Sequence, residues 1–398
     1  MARKPTIVNK ENLERTKEMV LESIDFKLLR SVDCDRLGRV VSEQTQTHIN
    51  GITFKRLYGF TKYPFNPSIQ TLNILSQFLG YNNWYELEMS FNDSQPISNR
   101  ELDILVSFYD FDLINNIEFH DGGIQSMSRK IALRFREDVT TFKRATTLLA
   151  QKKYAQVFFI EHFPDYDNLC KYYYLLYEEY LKYNTENNGK IFGHAMLFIK
   201  SFWLENEQDC KHHIAEMRGA NISKEVYPYL VGRYFAYNML YETYYGKETK
   251  AYKYFDDYLE IRKQLPKSGK RFLDFPASEY IMVDCLLHIG AYSKCIEILE
   301  LAAEEFPLKM EFARKGYYRQ MQLIGLIAHK KLNPKFDLGA YLAEIDPDGF
   351  YFISQKYFSS YYYYAHYLNN GDLAHLKKAK DLATEMGNIF LNKNFLHF

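Results

Sequence analysis

Apolar residues recur at helical spacing along almost the whole chain, and this periodicity constrains the fold more than any other feature of the sequence. Glycine and proline, 19 and 11 in 398 residues, stand mainly between the periodic segments. Alternating strand patterns with Asn-Gly or Asp-Gly turns are nearly absent. The main exception, Asn50-Gly51, lies between segments of helical character. The sequence therefore predicts an all-α protein.

A polar stretch early in the chain marks the clearest domain boundary. At 398 residues the chain is long enough for two or more domains, or for an extended repeat array. Residues 92–99 are polar, follow an aromatic-rich helix end and precede the apolar run that starts at Leu102. We therefore predict a small head domain at 1–91, a linker at 92–100 and a long helical domain at 101–398.

The composition limits the classes of protein that the chain can belong to. Apolar residues make up 47% and charged residues 25%, which excludes wholesale disorder. Lys plus Arg equals Asp plus Glu at 50 each, so any attraction to nucleic acid or membrane must be local. The chain has 35 Tyr and 30 Phe but 2 Trp. Tyrosine fills seams between helices while its hydroxyl reaches a polar partner, which favours a thin, two-layer architecture.

Cysteine usage and the lack of a long apolar run bear on the compartment. The five cysteines are scattered and form no C-x-x-C pair, so neither a disulfide framework nor a cysteine zinc site is predicted. The first residues lack the apolar stretch of a signal peptide. No run approaches the roughly 18 apolar residues of a membrane-spanning helix. We expect a protein of the cytoplasm, without membrane association.

The long helical domain contains several segments of the type helix, short turn, helix, of which Leu286–Pro307 is the best formed. Gly290 lies at its turn, and Tyr292 opens the second helix. Ala302 is a small residue that permits close helix contact, and Pro307 ends the unit.

This segment resembles the tetratricopeptide repeat over its second half, with Cys295 where that family usually has Ala. Weaker echoes with variable spacing occur at 150–164, 246–266 and 370–379. The resemblance implies a divergent array of stacked helical hairpins, an α-solenoid with a continuous core and a concave surface.

Residues 36–87 carry the most specific pattern in the head. Within 51–60, one helical face holds the apolar residues Phe54, Leu57 and Tyr58, and the opposite face holds Ile52, Lys55 and Arg56. A second helix follows, with Asn66 as its cap and Pro67 at its first position. Leu72, Leu75 and Leu79 recur at helical spacing before Gly80 stops this helix.

The arrangement resembles the phage-repressor type of helix-turn-helix over about fifty residues. In that family the segment equivalent to 51–60 lies in the major groove of DNA. The resemblance implies DNA contact by Thr53, Lys55 and Arg56, with Lys62 on phosphate. There are two departures. The turn after Phe60 is longer than usual, and the preceding helix, near 36–46, lacks the Ala-x-x-x-Gly signature of the sharp turn.

The charge distribution gives an independent argument for a phosphate-facing head. No Asp or Glu occurs between Glu43 and Glu86, whereas Lys55, Arg56 and Lys62 do. Each neutralised phosphate adds salt-dependent affinity. Three cations are few, so we expect a homodimer that contacts two half-sites of double-stranded DNA. The alternative interpretation is a head that caps the array or contacts protein.

Sequence motifs for catalysis and metal binding are absent. No phosphate loop, G-x-G-x-x-G, G-x-S-x-G or H-E-x-x-H occurs, so we predict no enzymatic activity and no cofactor. Cys210-Lys-His-His213 places a thiol and two imidazoles together. Adjacent helical residues point about 100° apart and converge poorly on one metal, so we predict surface histidines there and no metal site.

Two tyrosine clusters, at 171–183 and 360–367, put aromatic groups all round a helix. The simpler interpretation is packing between helices, and the alternative is an aromatic-lined groove for a peptide or small ligand. The segment 233–237 allows the same two interpretations, with Tyr234 and Tyr237 as candidate groove residues.

Together these patterns favour a transcriptional regulator, similar to those that join such a head to tetratricopeptide-like repeats. In this interpretation the array senses a peptide or small ligand and dimerises. The ligand must then bind one conformation of the array better than the other. The alternative function is a helical-repeat interaction scaffold whose head contacts protein and not DNA.

Overall fold

A computed structural model describes residues 10–24, 26–62, 66–81, 83–84, 87, 91, 97–110, 122–265, 275–306 and 315–395. These residues form helices and no strand, which confirms the all-α prediction. The chain divides into two compact units, Met1–Ile97 (unit 1) and Ser98–Phe398 (unit 2). Of the predicted linker 92–100, residues 92–96 lie outside the described residues, and Asn99 and Arg100 already belong to a helix.

Unit 1 contains four described helices around a small apolar core. They are α1 (Lys10–Glu22), α2 (Asp33–Thr45), α3 (Gly51–Leu57) and α4 (Ile69–Phe78). Every one of these helices contributes buried side chains, namely Val20, Cys34, Leu37, Val41, Phe54, Ile74, Leu75 and Phe78. Burial of this apolar surface away from water is what holds the short helices together, since helices of this length are marginal in isolation.

The start of α4 differs from the prediction, whereas its end agrees with it. The helix begins at Ile69, because the Ser68 hydroxyl caps it by accepting a hydrogen bond from the N–H of Thr71 (3.2 Å). Pro67 therefore precedes the helix, and Asn66 is not its cap. At the other end Gly80 adopts a φ of +87°, the left-handed conformation that glycine favours at helix ends.

Unit 2 is built from sixteen described α-helices. They are α5 (Asn99–Ser107), α6 (Gly122–Glu137), α7 (Val139–Gln151), α8 (Lys153–Ala155), α9 (Tyr174–Tyr183), α10 (Asn187–Trp203), α11 (Glu207–Arg218), α12 (Pro228–Tyr244), α13 (Glu248–Arg262), α14 (Ala277–His288), α15 (Tyr292–Glu305), α16 (Lys315–Leu332), α17 (Gly339–Ala343), α18 (Gln355–Asn370), α19 (Leu373–Met386) and α20 (Ile389–Asn394). Two π-helical turns, Gln156–Glu161 and Leu169–Tyr173, flank a short 3₁₀ turn at Tyr166–Asn168.

Eight of the sixteen described helices of unit 2 pack against their neighbours in the chain as four hairpins. The pairs α10/α11, α12/α13, α14/α15 and α18/α19 are in contact, and each pair has a short connection within the range usual for helical hairpins. The first helices of the first three pairs contact one another in order, and α16 contacts both α14 and α18, so that α10, α12, α14, α16 and α18 form a continuous row. This row forms the buried interior of unit 2.

The α14–α15 hairpin consists of a helix, a short turn and a helix, as predicted. Gly290 adopts a φ of +71° in the turn, and Tyr292 is the first residue of α15. Cys295 and Ala302 are buried, and the Cys295 thiol lies 3.7 Å from the carbonyl oxygen of Val283 on the first helix. Pro307 lies outside the described residues.

The tyrosine cluster at 171–183 serves mainly to pack helices. Tyr172, Tyr173, Tyr177 and Tyr180 are all buried. Their rings pack against other aromatic rings, as between Tyr177 and Phe192, whose centroids are 5.7 Å apart at a steep angle. Such edge-to-face contacts add to the stabilisation that burial itself provides.

Candidate functional site

The turn between α2 and α3 is held by side chains on both sides of it. Gln46 ends α2 in the left-handed conformation, with a φ of 52°. Asn50 caps α3, because its side-chain oxygen accepts a hydrogen bond from the N–H of Ile52 (3.0 Å). The Ser42 hydroxyl of α2 accepts from the N–H of Ile49 (3.0 Å), and the Ile49 side chain is buried in the core. These contacts fix the direction in which α3 leaves α2.

Helices α2 and α3 cross at a pair of glycines. A Cβ on Gly38 would lie 3.0 Å from the Gly51 nitrogen and 3.2 Å from the Ile49 carbonyl oxygen. A Cβ on Gly51 would lie 2.7 Å from the Asp35 Cα, closer than real side chains come. A side chain at Gly51 would therefore force a shift of the backbone, and one at Gly38 would be tightly packed. We did not single out Gly38 from the sequence, although a glycine inside a helical pattern is typical of close packing.

The predicted DNA-contacting residues lie on α3 or just after it. Arg56 and Lys62 are exposed, and Thr53 is half-buried. Phe54 is fully buried in the core, as predicted for the inner face of this segment. Consequently the outer face of α3 presents Ile52 and Arg56 to solvent.

Lys55 forms an ion pair with Asp35, which the charge pattern of the sequence did not predict. Its Nζ lies 2.8 Å from Oδ2 of Asp35 on α2, and its side chain is 24% exposed. Residues 44–85 contain no acid in the sequence. In the folded structure, however, the carboxylate of Asp35 lies beside Lys55, one of their three cations. This corrects the charge argument, since the surface of α3 is less positive than the sequence implied.

In unit 2 a short stretch, residues 163–168, is tied to the start of α18; we call it the inner segment. Asp167 accepts hydrogen bonds from the N–H groups of Lys356 and Tyr357, both at 3.1 Å. The residue before α18, Ser354, makes no side-chain cap of its own. The N-terminus of α18 is therefore capped by a carboxylate 189 residues earlier in the chain.

Arg136 of α6 holds the inner segment from the other side. Its guanidinium forms ion pairs with Asp165 (2.9 Å) and Asp167 (3.3 Å). Both carboxylates are buried. Burial raises the pKa of Asp165 to about 7 in spite of the guanidinium beside it, and it also raises the pKa of Asp167.

Through Tyr166 the inner segment contacts residues in the interior of unit 2. Its hydroxyl accepts a hydrogen bond from Nη2 of Arg233 (3.0 Å). Its ring packs against those of Trp203 and Tyr357, with centroids 5.9 and 6.3 Å away. Arg233 is only 4% exposed and lies 5.4 Å from the centroid of the Tyr229 ring. The inner segment thus covers the part of α12 where the sequence suggested a groove wall.

A small cavity lies beside Tyr166, and we call it the tyrosine cavity. Its volume of about 20 Å³ is enough for one water molecule. Of the two candidate groove residues, Tyr237 lines this cavity, whereas Tyr234 packs edge-on against Phe235 with centroids 5.1 Å apart. The complete lining consists of Tyr166, Tyr237, Tyr280, Ile281, Asp284, Tyr357 and Phe358.

One wall of the tyrosine cavity is a polar network between α14 and α18. Asp284 accepts hydrogen bonds from the hydroxyls of Tyr357 (3.0 Å) and Tyr361 (3.2 Å). The same hydroxyls lie 2.8 and 2.9 Å from Nε2 of His288. Burial raises the pKa of Asp284 to about 7 and lowers the pKa of His288 to about 3, so the imidazole is neutral at physiological pH.

We did not predict this network, because no catalytic motif covers it. The spacing of its residues in the sequence nevertheless gives an indication of it. Asp284 and His288 are four residues apart on one helix, and Tyr357 and Tyr361 are four residues apart on another. Polar pairs at this spacing on two apolar helices predict a shared buried contact.

Another carboxylate of unit 2, Glu161, is half-buried. It accepts hydrogen bonds from the hydroxyls of Tyr180 (2.7 Å) and Tyr229 (2.8 Å). Burial raises its pKa to about 7, although both hydroxyls and the charge of Arg233 favour the ionised form. No sequence motif pointed to this residue.

The cluster at Cys210 and His213 contains buried and half-buried groups. Cys210 is fully buried, and Nδ1 of His213 lies 3.2 Å from Nδ1 of His194. Burial lowers the pKa of His213 to about 3. Within the part of the chain that the structure describes, no three His, Cys, Asp or Glu side chains are arranged to hold a metal ion.

No protein-family model, curated protein or solved structure matches the chain. Across the described ranges, no helix combines the length and the apolar character needed to cross a bilayer. Function must therefore be inferred from the geometry of the two units.

Proposed function

We propose that the chain is a DNA-binding transcriptional regulator, in which unit 1 contacts double-stranded DNA through α3 and unit 2 senses a ligand and dimerises. The observation that carries this proposal is the crossing of α2 and α3 at Gly38 and Gly51, which leaves the face of α3 opposite Phe54 in solvent. Helix-turn-helix proteins place such a second helix in the major groove. The turn, residues 46–50, is slightly longer than the three or four residues common in that motif.

The exposed side chains of α3 supply the contacts that this function needs. Arginine is suited to bidentate bonds with guanine, so Arg56 is the strongest candidate for reading a base, with Thr53 beside it. Lys62 is exposed and suits a phosphate. Lys55 contributes less while it is paired with Asp35. So few cations give weak binding by one head, which is why we propose a homodimer.

For unit 2 we propose a divergent tetratricopeptide-like array. The α14–α15 hairpin, the row of first helices and the turn at Gly290 support this assignment. Five unpaired thiols support a reducing, cytoplasmic location. A ligand, peptide or smaller, acts by binding one arrangement of the hairpins better than another and thereby shifts the dimer.

A titration of duplex DNA tests the proposal. We expect the wild-type chain to bind mixed-sequence duplex in fluorescence anisotropy at low salt and to lose affinity as salt is raised, because cations on phosphate release counterions. Lys55→Ala/Arg56→Ala should lose most of this affinity. Lys250→Ala/Lys253→Ala, two exposed lysines of α13 in unit 2, removes the same charge and should bind as wild type does.

Equal and negligible affinity of the wild type and the α3 variant at low salt would reject DNA binding. That result would favour the second candidate, a scaffold whose head contacts protein. One observation speaks for it: unit 1 exposes large apolar side chains, with Ile52 at 44%, Phe60 at 39% and Ile69 at 51%. Exposed large apolar side chains are a feature of many protein-contact surfaces.

A further inference from the structure

The tyrosine cavity has a composition that points to a particular class of ligand. Five of its seven lining residues are aromatic, and Asp284 is the single charged one. Aromatic faces carry negative partial charge and attract organic cations, which is how proteins recognise ammonium groups. The Asp284 carboxylate in the same wall adds negative charge when it is ionised, and a bound cation favours the ionised form.

Asp284 has acceptor capacity left over on the cavity side. An ionised carboxylate offers about four acceptor positions, and the hydroxyls of Tyr357 and Tyr361 supply one proton each. Its side chain is 28% exposed, although it lies in the interior of unit 2. Asp284 is one of the residues that line the cavity.

Asp284 also has no cationic partner among the described residues. The nearest basic group, Nε2 of His288, is 4.0 Å away and already contacts both hydroxyls. Burial keeps that imidazole neutral, because it lowers its pKa to about 3. Arg233 does not line the cavity; its guanidinium contacts the hydroxyl of Tyr166 from outside the lining.

We propose that the tyrosine cavity binds the primary ammonium group of a small organic amine, with the ammonium donating to Asp284 among the rings of Tyr237 and Tyr280. This inference rests on the proposed sensing role of unit 2, for which it names the ligand class. At about 20 Å³ the cavity has the volume of one water-sized group, which suits an ammonium head and is too small for a guanidinium.

The position of the cavity suits a sensor. Its walls come from α12, α14 and α18 together with Tyr166 of the inner segment. An amine bound there contacts all four at once. Binding therefore favours the arrangement in which the inner segment is seated against α18, which is the differential affinity that a conformational shift requires.

Ligand-observed saturation-transfer NMR with the full chain provides the test. We expect saturable binding of methylammonium with a dissociation constant on the order of millimolar, because the binding energy available per non-hydrogen atom limits so small a ligand. Methanol, its neutral counterpart, acetate and tetramethylammonium should not bind. Binding of methanol or acetate in place of methylammonium, or of none of the four, would overturn the proposal.

Two variants and a control locate the site. Asp284→Asn should weaken methylammonium binding by about tenfold or more, since the ammonium loses its charged partner. Ile281→Phe fills the cavity while it keeps the carboxylate, and it should abolish binding even if the first variant does not fold. Asp256→Asn, an exposed acid of α13, should bind as wild type does. Unchanged binding by Ile281→Phe would contradict the assignment.

The DNA titration distinguishes a failure of the amine site from a failure of the proposed function. DNA binding without methylammonium binding refutes the amine site and leaves the regulator intact. Methylammonium binding by a chain with no DNA affinity refutes the regulator and leaves an amine-binding protein. Where both occur, methylammonium should change the DNA affinity of the wild type and leave that of Ile281→Phe unchanged.

Discussion

At the scale of single residues, the contact between Lys55 and Asp35 limits how the head can use its charge. The ion pair joins α3 to α2 at 2.8 Å and is partly exposed. Exposed pairs of this kind add only about 0 to 1 kcal/mol to stability. Its larger effect is on the field at the surface of α3, where Asp35 offsets one of three cations. Under the proposed function, Asp35 therefore restrains affinity for DNA.

Removal of this acid should strengthen DNA binding. We expect Asp35→Asn to raise the affinity for mixed-sequence duplex about threefold at low salt, with a smaller gain at high salt because the effect is electrostatic. Fluorescence anisotropy at two salt concentrations measures both. Glu14→Gln is the matched control, because Glu14 pairs with Lys17 on α1 at 2.7 Å. An equal gain in the control would show that only net charge matters.

A methyl group at the crossing of α2 and α3 should destabilise unit 1. Glycine to alanine within a helix is ordinarily stabilising. At Gly38 the new Cβ would meet the backbone of α3 at 3.0 Å, so we expect Gly38→Ala to cost about 1 to 3 kcal/mol through overpacking. Hydrogen exchange over residues 33–57 should become faster. Arg39→Ala, on the exposed face of the same helix, should leave it unchanged.

At the scale of helices, α18 depends on a distant side chain for its first turn. Asp167 accepts from two N–H groups of this turn and pairs with Arg136. An asparagine would present its NH2 group to one of those two donors and would lose the charge. We expect Asp167→Asn to destabilise unit 2 by about 3 kcal/mol, as when other buried ion pairs are broken.

Urea unfolding followed by near-ultraviolet circular dichroism measures this loss. Asp372→Asn is its control, since Asp372 caps α19 in an exposed position by accepting from the N–H of Ala374 (2.9 Å). Asparagine caps a helix about as well as aspartate. A similar loss in both variants would show that Asp167 acts as an ordinary cap.

The helices themselves were predictable from the sequence, because their determinants are local. Apolar spacing, the turn at Gly290 and the first residue of α15 at Tyr292 follow from neighbours within a few positions. The cap of α4 was wrong by two residues, since Asn66 and Ser68 are equally good caps by type. The inner segment was not predicted, because its bonds to α18 join residues 189 or more positions apart.

In the candidate sites, too, the features that depend on neighbouring residues were predictable, and those that depend on distant contacts were not. The outer face of α3 was predictable from helical spacing, whereas the pairing of Lys55 with Asp35 was not, since it joins two helices across a turn. Tyr237 was named as a possible groove residue, but the rest of the tyrosine cavity comes from α14, α18 and Tyr166. Assembly of this cavity depends on how helices stack, and local periodicity does not encode that.

At the scale of the whole molecule, unit 2 carries several carboxylates that burial makes harder to ionise. Glu161, Asp165 and Asp284 each have a pKa raised to about 7. For Glu161 the unfolded value is near 4.5, so between pH 4.5 and 7 the folded state binds more protons than the unfolded state. The stabilisation from this group is present at low pH and is lost as pH rises through 7.

We therefore expect a pH-dependent difference between the wild type and Glu161→Gln. The free energy of unfolding of the wild type, relative to the variant, should rise by about 2 to 3 kcal/mol as pH falls from 8 to 5. Comparison with the variant is needed because His213 and His288, whose pKa values burial lowers to about 3, act in the opposite sense.

Urea titrations at pH 5, 6, 7 and 8 provide the measurement. Glu178→Gln removes an exposed carboxylate from α9 and should track the wild type at every pH. A constant difference between the wild type and Glu161→Gln over this range would show that Glu161 stays ionised in the folded state.

The bond between Asp167 and the first turn of α18 also has a consequence for folding. In an open stack of hairpins each repeat touches only its neighbours, so the ends fray independently and unfolding can proceed one repeat at a time. Here Asp167, in the first part of unit 2, binds the first turn of α18, which lies 189 residues later and near the end of the unit. Such high contact order slows folding, because a long loop must close before its contacts form. Once it is closed, the C-terminal hairpin can open only when the N-terminal part does, so unit 2 gains cooperativity that a linear array lacks.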